Sequence, residues 1–277
     1  MLSVFAAPRL RWFTLPGLIL LPALAVGAPA PAELTQAWTS IANSRPQDVL
    51  RKWDADRTSR PEQLAWATAQ LSVQPTTDAN LQAAGKVLTG LAGGDDELAA
   101  EAAYLQARLY QLYYAQPDYA KAAELYRALA ARRPESHWAQ LGLVKLAMLK
   151  LYVVPDSAAP GTDRLAPAEA LLAGIHEPLL QRDLHLQIGQ AGIALKQPLA
   201  RLLPHLVAAD RIGGISGTAH EDLVVQLSVL SLRAGLPAQA KFYCERYLAE
   251  YPDNARAFTI RLKLKEAEQQ LAKEAAP

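Results

Sequence analysis

Apolar residues recur at intervals of three and four along nearly the whole chain after Glu33, the spacing that places them on one face of an α-helix. The stretch "ELAAEAAYLQARLYQLYYAQ" (97–116) puts Leu105, Leu109, Leu112 and Tyr113 on its inner side, and "PDYAKAAELYRALAARRP" (117–134) aligns Ala122, Tyr126 and Leu129. Between them Gln116-Pro117-Asp118 makes a turn, with proline and aspartate suited to a helix start. Pro134 ends the second element, because the residue before a proline is biased away from helical angles. The two elements read as an antiparallel helix hairpin. The small Ala122 lets a neighbouring helix come close, and Tyr126, one turn on, fills the space beside that contact.

The same alternation predicts hairpins over 33–56, 61–92, 96–132, 136–175, 178–210 and 220–250, with 254–273 as a final helix. "GLPAQAKFYCERYLAEYP" (235–252) repeats the pattern of 117–134: Ala240, Cys244 and Pro252 stand where Ala122, Tyr126 and Pro134 stand. Leu227 precedes Ala240 by the same thirteen positions that separate Leu109 from Ala122. Asn254 is a good N-cap for the last helix. Phe258 and Leu262 are expected to pack back onto the preceding hairpin while the many charges of that helix stay in water. "VPDSAAPGTDRLAPAE" (154–169) is rich in proline, glycine and alanine and reads as a long loop.

These residues resemble the tetratricopeptide repeat, whose pattern is W-x2-L-G-x2-Y, then A-x3-F, then P, over about 34 residues. Trp138, Leu141 and Gly142 supply its opening spacing, and the two copies around Ala122 and Ala240 supply its second half. The resemblance rests on residues 96–142 and 220–273. It implies an all-α, right-handed superhelix, or solenoid, of stacked antiparallel hairpins, in which a single hairpin cannot bury its apolar face alone. On that plan the chain divides into hairpins at 33–95, a repeat and following helix at 96–153, the loop at 154–169, a hairpin at 170–219, and a repeat with a capping helix at 220–277. The family's concave groove would be lined by Tyr104, Gln111, Tyr114, Val225 and Val229, and its task would be non-catalytic protein binding. Rigid aromatics there also suit glycan rings, so a glycan- or peptidoglycan-associated module is the alternative. The Lys/Asn set with which chaperone-binding members clamp a terminal carboxylate is missing at the matching positions, Ala107 and Gln111.

The first residues read as an export signal. Arg9 and Arg11 precede the apolar run 13–26, and small residues lead to an A-x-A site, with cleavage expected after Ala32. The run is shorter than the ~20 residues of a spanning helix. If uncleaved it would instead tether a scaffold to the inner membrane. A periplasmic or secreted product, acting on proteins of the cell envelope, is the expectation. Removing 1–32 takes the formal charge from +1 to −1, without the basic footprint of a nucleic-acid binder. With 51% hydrophobic and 20% charged residues, the chain has too much apolar material for a disordered one. The lone Cys244 excludes an internal disulfide and reads as a small buried apolar residue.

No catalytic site, metal or cofactor is expected. His137, His176, His185, His205 and His220 form no HExxH or zinc spacing. "AHEDL" (219–223) reads as the polar first turn of a helix, and "RIGGISGTAHED" (211–222) as a loop without P-loop spacing. Glu135-Ser136 resembles the dipeptide around the catalytic acid of lytic transglycosylases, whose lysozyme-like domain this chain has no length left to build.

Overall fold

A computed structural model describes residues 32–56, 59–153 and 162–275. The export signal, expected over 1–32, lies outside them but for Ala32. Among the described residues the protein is all-helical, with thirteen α-helices and no strand. They are α1 (Ala32–Ala42), α2 (Pro46–Leu50), α3 (Arg60–Ser72), α4 (Asp78–Leu91), α5 (Glu97–Arg108), α6 (Tyr119–Arg132) and α7 (His137–Tyr152), followed by α8 (Leu165–Glu169), α9 (Pro178–Ala194), α10 (Leu199–Ile212), α11 (Gly217–Arg233), α12 (Pro237–Glu250) and α13 (Ala257–Glu274). From α3 onward the helix pairs begin and end within three residues of the limits read from the periodicity.

Local chemistry sets these ends. The side chains of Thr77, Asp96, Asp118 and Ser136 accept backbone N–H groups of the helices they open, satisfying donors that have no partner within the helix. Proline opens α2, α3, α9 and α12, where its missing N–H costs nothing. α11 closes through Gly235, whose φ of 70° only glycine adopts freely, while Leu236 N–H returns to Ser231 O at 2.9 Å.

Each helix packs on the next, and alternate helices also touch, α1 on α3, α3 on α5, α5 on α7, α7 on α9 and α11 on α13. The apolar stripes meet between them. Ala122, Tyr126, Ala240 and Cys244 are fully buried, as are Leu109 and Leu227. Gly142 explains its own identity: a Cβ there would lie 3.2 Å from Tyr126 Cδ1. Trp138 and Leu141 are half-buried against the same core, and Pro134 and Pro252 stand exposed just past the ends of α6 and α12.

A series of polar contacts ties the N-terminal ends of alternate helices together. Arg60 of α3 holds Asp96 before α5 at 2.5 Å. Glu97 of α5 accepts from Ser136 Oγ at 2.5 Å and from His137 N at 3.3 Å, at the start of α7. His137 meets Glu177, before α9, at 2.8 Å. Arg182 of α9 reaches Gly213 O, ahead of α11, at 3.2 Å, and Asp222 of α11 takes Arg256 at 2.5 Å before α13. Such exposed pairs are individually weak, but each fixes one hairpin against the next.

Four expectations need correction. Residues Leu109–Tyr113 form a π-helical turn. Its i→i+5 bonding inserts an extra residue per turn, so the apolar phase slips and Leu112 is 52% exposed instead of facing inward. The loop expected over 154–169 is in part ordered: 154–161 lie outside the described residues, but Leu165–Glu169 is helical, with Leu165 and Ala168 fully buried. The last helix opens at Ala257, three residues after Asn254, whose side chain accepts from Arg256 N at 2.9 Å. Its buried stripe is Ala257, Ile260 and Ala267, leaving Phe258 67% and Leu262 54% exposed.

Candidate interaction face

The side chains expected to line one groove are separated by the fold. Tyr104 is 7% exposed, its ring 5.3 Å from Trp138 and 5.9 Å from Tyr126. Gln111 is buried as well, and its Oε1 accepts from Tyr126 Oη at 2.7 Å and from Arg108 at 3.3 Å. Both are therefore core residues, covered by Tyr126 of α6 and, for Tyr104, by Trp138 of α7. Tyr114 lies past that turn, half-buried beside Tyr110 at 5.5 Å. Val225 and Val229 are half-buried on α11.

A different set lies partly open to solvent along α5, α7 and α9. Glu101 and Arg108 lie two turns apart on α5; Leu141, Lys145 and Met148 form one stripe of α7; Asp183, Gln187 and Gln190 form one stripe of α9. All are half-buried. Gln190 donates to Gln226 of α11 at 2.7 Å, carrying the row onward toward Val225 and Val229.

The electrostatics of this row are unusual. Burial pushes the Glu101 carboxyl up to about 7, with the neighbouring Glu97 adding to it. Burial pulls the Lys145 ammonium down, Arg108 pulls it further, and Asp183 opposes both. Neither Glu101 nor Lys145 has a hydrogen-bond or ion-pair partner among the described residues. Asp183 itself is taken by Arg182 at 2.6 Å. The one sign of this in the sequence is Lys145 itself, a lysine inside "LGLVKLAMLKLY".

Several other titratable groups join neighbouring helices. His185 and His205 join α9 and α10 through Nδ1 atoms 2.9 Å apart, and Glu169 accepts both Arg201 bonds at 2.8 and 2.7 Å. The "AHEDL" side chains do more than open a helix: His220 meets Tyr251 Oη and Arg246 at 2.8 Å, and Glu221 accepts from the buried Tyr247 Oη at 3.0 Å. Ser136, of the Glu135-Ser136 dipeptide, caps α7. Gly213, Gly214 and Gly217, in the glycine-rich stretch, all take positive φ and turn the chain from α10 into α11. Burial raises the Cys244 thiol to about 11. Among the described residues no three His, Cys, Asp or Glu side chains converge to hold a metal ion, and no helix is long and apolar enough to cross a membrane.

No protein-family model matches the chain, and neither a curated protein nor a solved structure matches it.

Proposed function

We propose that this chain is an exported, non-catalytic scaffold of the tetratricopeptide type, a right-handed superhelix that holds an envelope protein against the exposed side of α5, α7, α9 and α11. The observation that carries this reading is the pair of half-buried, unpartnered charges at Glu101 and Lys145. Holding such groups away from water without a partner costs stability. A bound protein that brings a cation to Glu101 and a carboxylate to Lys145 offsets that cost at the moment of association. The stripe Leu141, Lys145, Met148 adds apolar surface around the charge, in the manner of a binding site whose polar groups select and whose apolar groups hold.

The test is recovery of binding proteins from envelope extract by residues 33–277. Lys145→Glu should lose the protein that the unaltered chain retains, while Arg127→Glu, on the exposed side of α6, should keep it. Equal recovery by both variants removes the reading. Mass spectrometry of the native N-terminus tests export separately: a start at Glu33 supports a cleaved signal, and an intact Met1 supports a tether.

A further inference from the structure

On the side of α5 opposite Glu101 and Arg108, a cleft of about 340 Å³ opens between α4 and α5. Gly85 and Leu109 are among the residues that line it. Gly85 lets α4 approach closely there, since a Cβ would lie 3.1 Å from Leu109 Cδ2. One wall carries Gln82 and Lys86 from α4; the other carries Gln106, Tyr110 and Tyr114.

Several contacts organise these walls. Tyr110 and Tyr114, four positions apart at the π turn Leu109–Tyr113, lie side by side, with rings 5.5 Å apart at 56°. π-helical turns are rare and gather at functional sites, since they give up good hydrogen-bond geometry to re-aim side chains. Tyr110 O accepts from Asp118 N at 2.9 Å, which pins the turn to the start of α6. Across the cleft, Gln106 Nε2 donates to Thr89 Oγ1 at 2.7 Å, while Thr89 donates to Gly85 O at 2.8 Å. The amide of Gln106 is thereby held with its Oε1 left to accept. Gln82 and Lys86 are exposed and have no partner among the described residues, and no carboxylate lines the cleft. Burial raises the Tyr114 hydroxyl, with Tyr110 and then Asp78, at the start of α4, adding to it.

Two aromatic faces, two side-chain amides and one uncompensated ammonium are the chemistry of an acidic sugar. The tyrosine rings meet the C–H faces of a pyranose, the amides meet its hydroxyls, and the ammonium meets a carboxylate. A peptide strand would need open backbone groups to pair with, and the backbone of both walls is committed to its own helices. An apolar ligand would strand the amides. The volume lies at the small end of ligand cavities, with room for about one or two sugar rings.

We propose that this cleft binds a carboxylate-bearing saccharide unit, stacked on Tyr110 and Tyr114 and anchored by Lys86. This site is separate from the Glu101–Lys145 face and does not depend on it.

The test is saturation-transfer difference NMR on residues 33–277 with glucuronic acid, N-acetylmuramic acid, glucose and tri-alanine as separate probes. At least one of the two sugar acids should receive saturation on its ring protons, more strongly than glucose, and tri-alanine should receive none. Tyr114→Ala should abolish the transfer. Lys86→Gln should weaken the acid's affinity by ~10-fold, the size of one charge-assisted hydrogen bond, and bring it level with glucose. Lys86 is exposed on α4, so this variant folds whether or not Tyr114→Ala does. Transfer to neither acid, a preference for tri-alanine, or an acid signal unchanged by Lys86→Gln overturns the proposal.

Discussion

Replacing Glu101 by glutamine tests whether the charge on the candidate face is held at a cost. In the folded chain burial raises this carboxyl from 4.5 to about 7. Because the folded value lies above the unfolded one, its contribution is fully present below pH 4.5. It is lost as pH rises toward 7, where the unfolded chain has ionised and the folded chain pays to do so. At 1.36 kcal/mol per pH unit across that interval the cost is ~3 kcal/mol, and access of water to a half-buried group reduces it to ~1–2 kcal/mol. Glu101→Gln removes the charge and keeps the shape. It should raise stability at pH 8 by ~1–2 kcal/mol, or ~2–8 °C in Tm for a chain of this size, and change it by no more than a few tenths at pH 4. Thermal unfolding followed by circular dichroism at both pH values measures the difference. A variant no more stable at pH 8 than at pH 4, relative to the unaltered chain, would refute the argument and with it the claim that Glu101 waits for a partner.

Three further outcomes follow from the packing. Gly192→Ala places a Cβ 2.0 Å from Leu202 Cδ2 and 3.1 Å from Leu165 Cδ2, both buried. Overpacking of ~1–3 kcal/mol should exceed the ~1 kcal/mol of helix propensity gained, whereas Gly90→Ala, with open space around it, should stabilise by up to ~1 kcal/mol; urea midpoints moving the same way for both would contradict this. Tyr126→Phe should cost ~1–2 kcal/mol by the same measurement, since it strips the buried Gln111 of its best donor. Burial lowers both His185 and His205, with His205 and then Arg211 adding to the first and Glu169 opposing the second. Their folded values lie below the ordinary 6.5, so the stability these two groups contribute is full above pH 6.5 and is lost as pH drops below it; His185→Gln/His205→Gln should remove that part of the pH dependence between pH 7 and 5.

The helices were legible in the sequence because the signals that make them are local. A stripe such as Ala122, Tyr126 and Leu129, a proline two residues past the end, and a capping Asp118 or Ser136 each act within one turn. What could not be read is what one hairpin does to another. The π turn at Leu109–Tyr113 changes no composition, yet its one-residue slip decides that Leu112 faces water. On α13 two apolar stripes compete, Phe258 with Leu262 and Ala257 with Ile260 and Ala267. The smaller one is buried, because α12 packs close and small residues permit it. The contacts of Arg60 with Asp96 and of Glu97 with Ser136 join residues 36 and 39 positions apart, and nothing in their own segments predicts them. Tyr104 and Gln111 were expected on an open face for the same reason: the helical spacing is right, and the neighbour that covers them comes from elsewhere in the chain.

The proposed role turns on which side of the helix stack meets a partner. A photo-crosslinking amino acid placed in cells at Met148 and Gln187, on α7 and α9, and at Ala128 and Ala249, on the exposed sides of α6 and α12, tests it most directly. Adducts to one and the same envelope protein are expected from Met148 and Gln187, and none from the other two positions. Adducts from Ala128 or Ala249 with none from Met148 and Gln187 would contradict it.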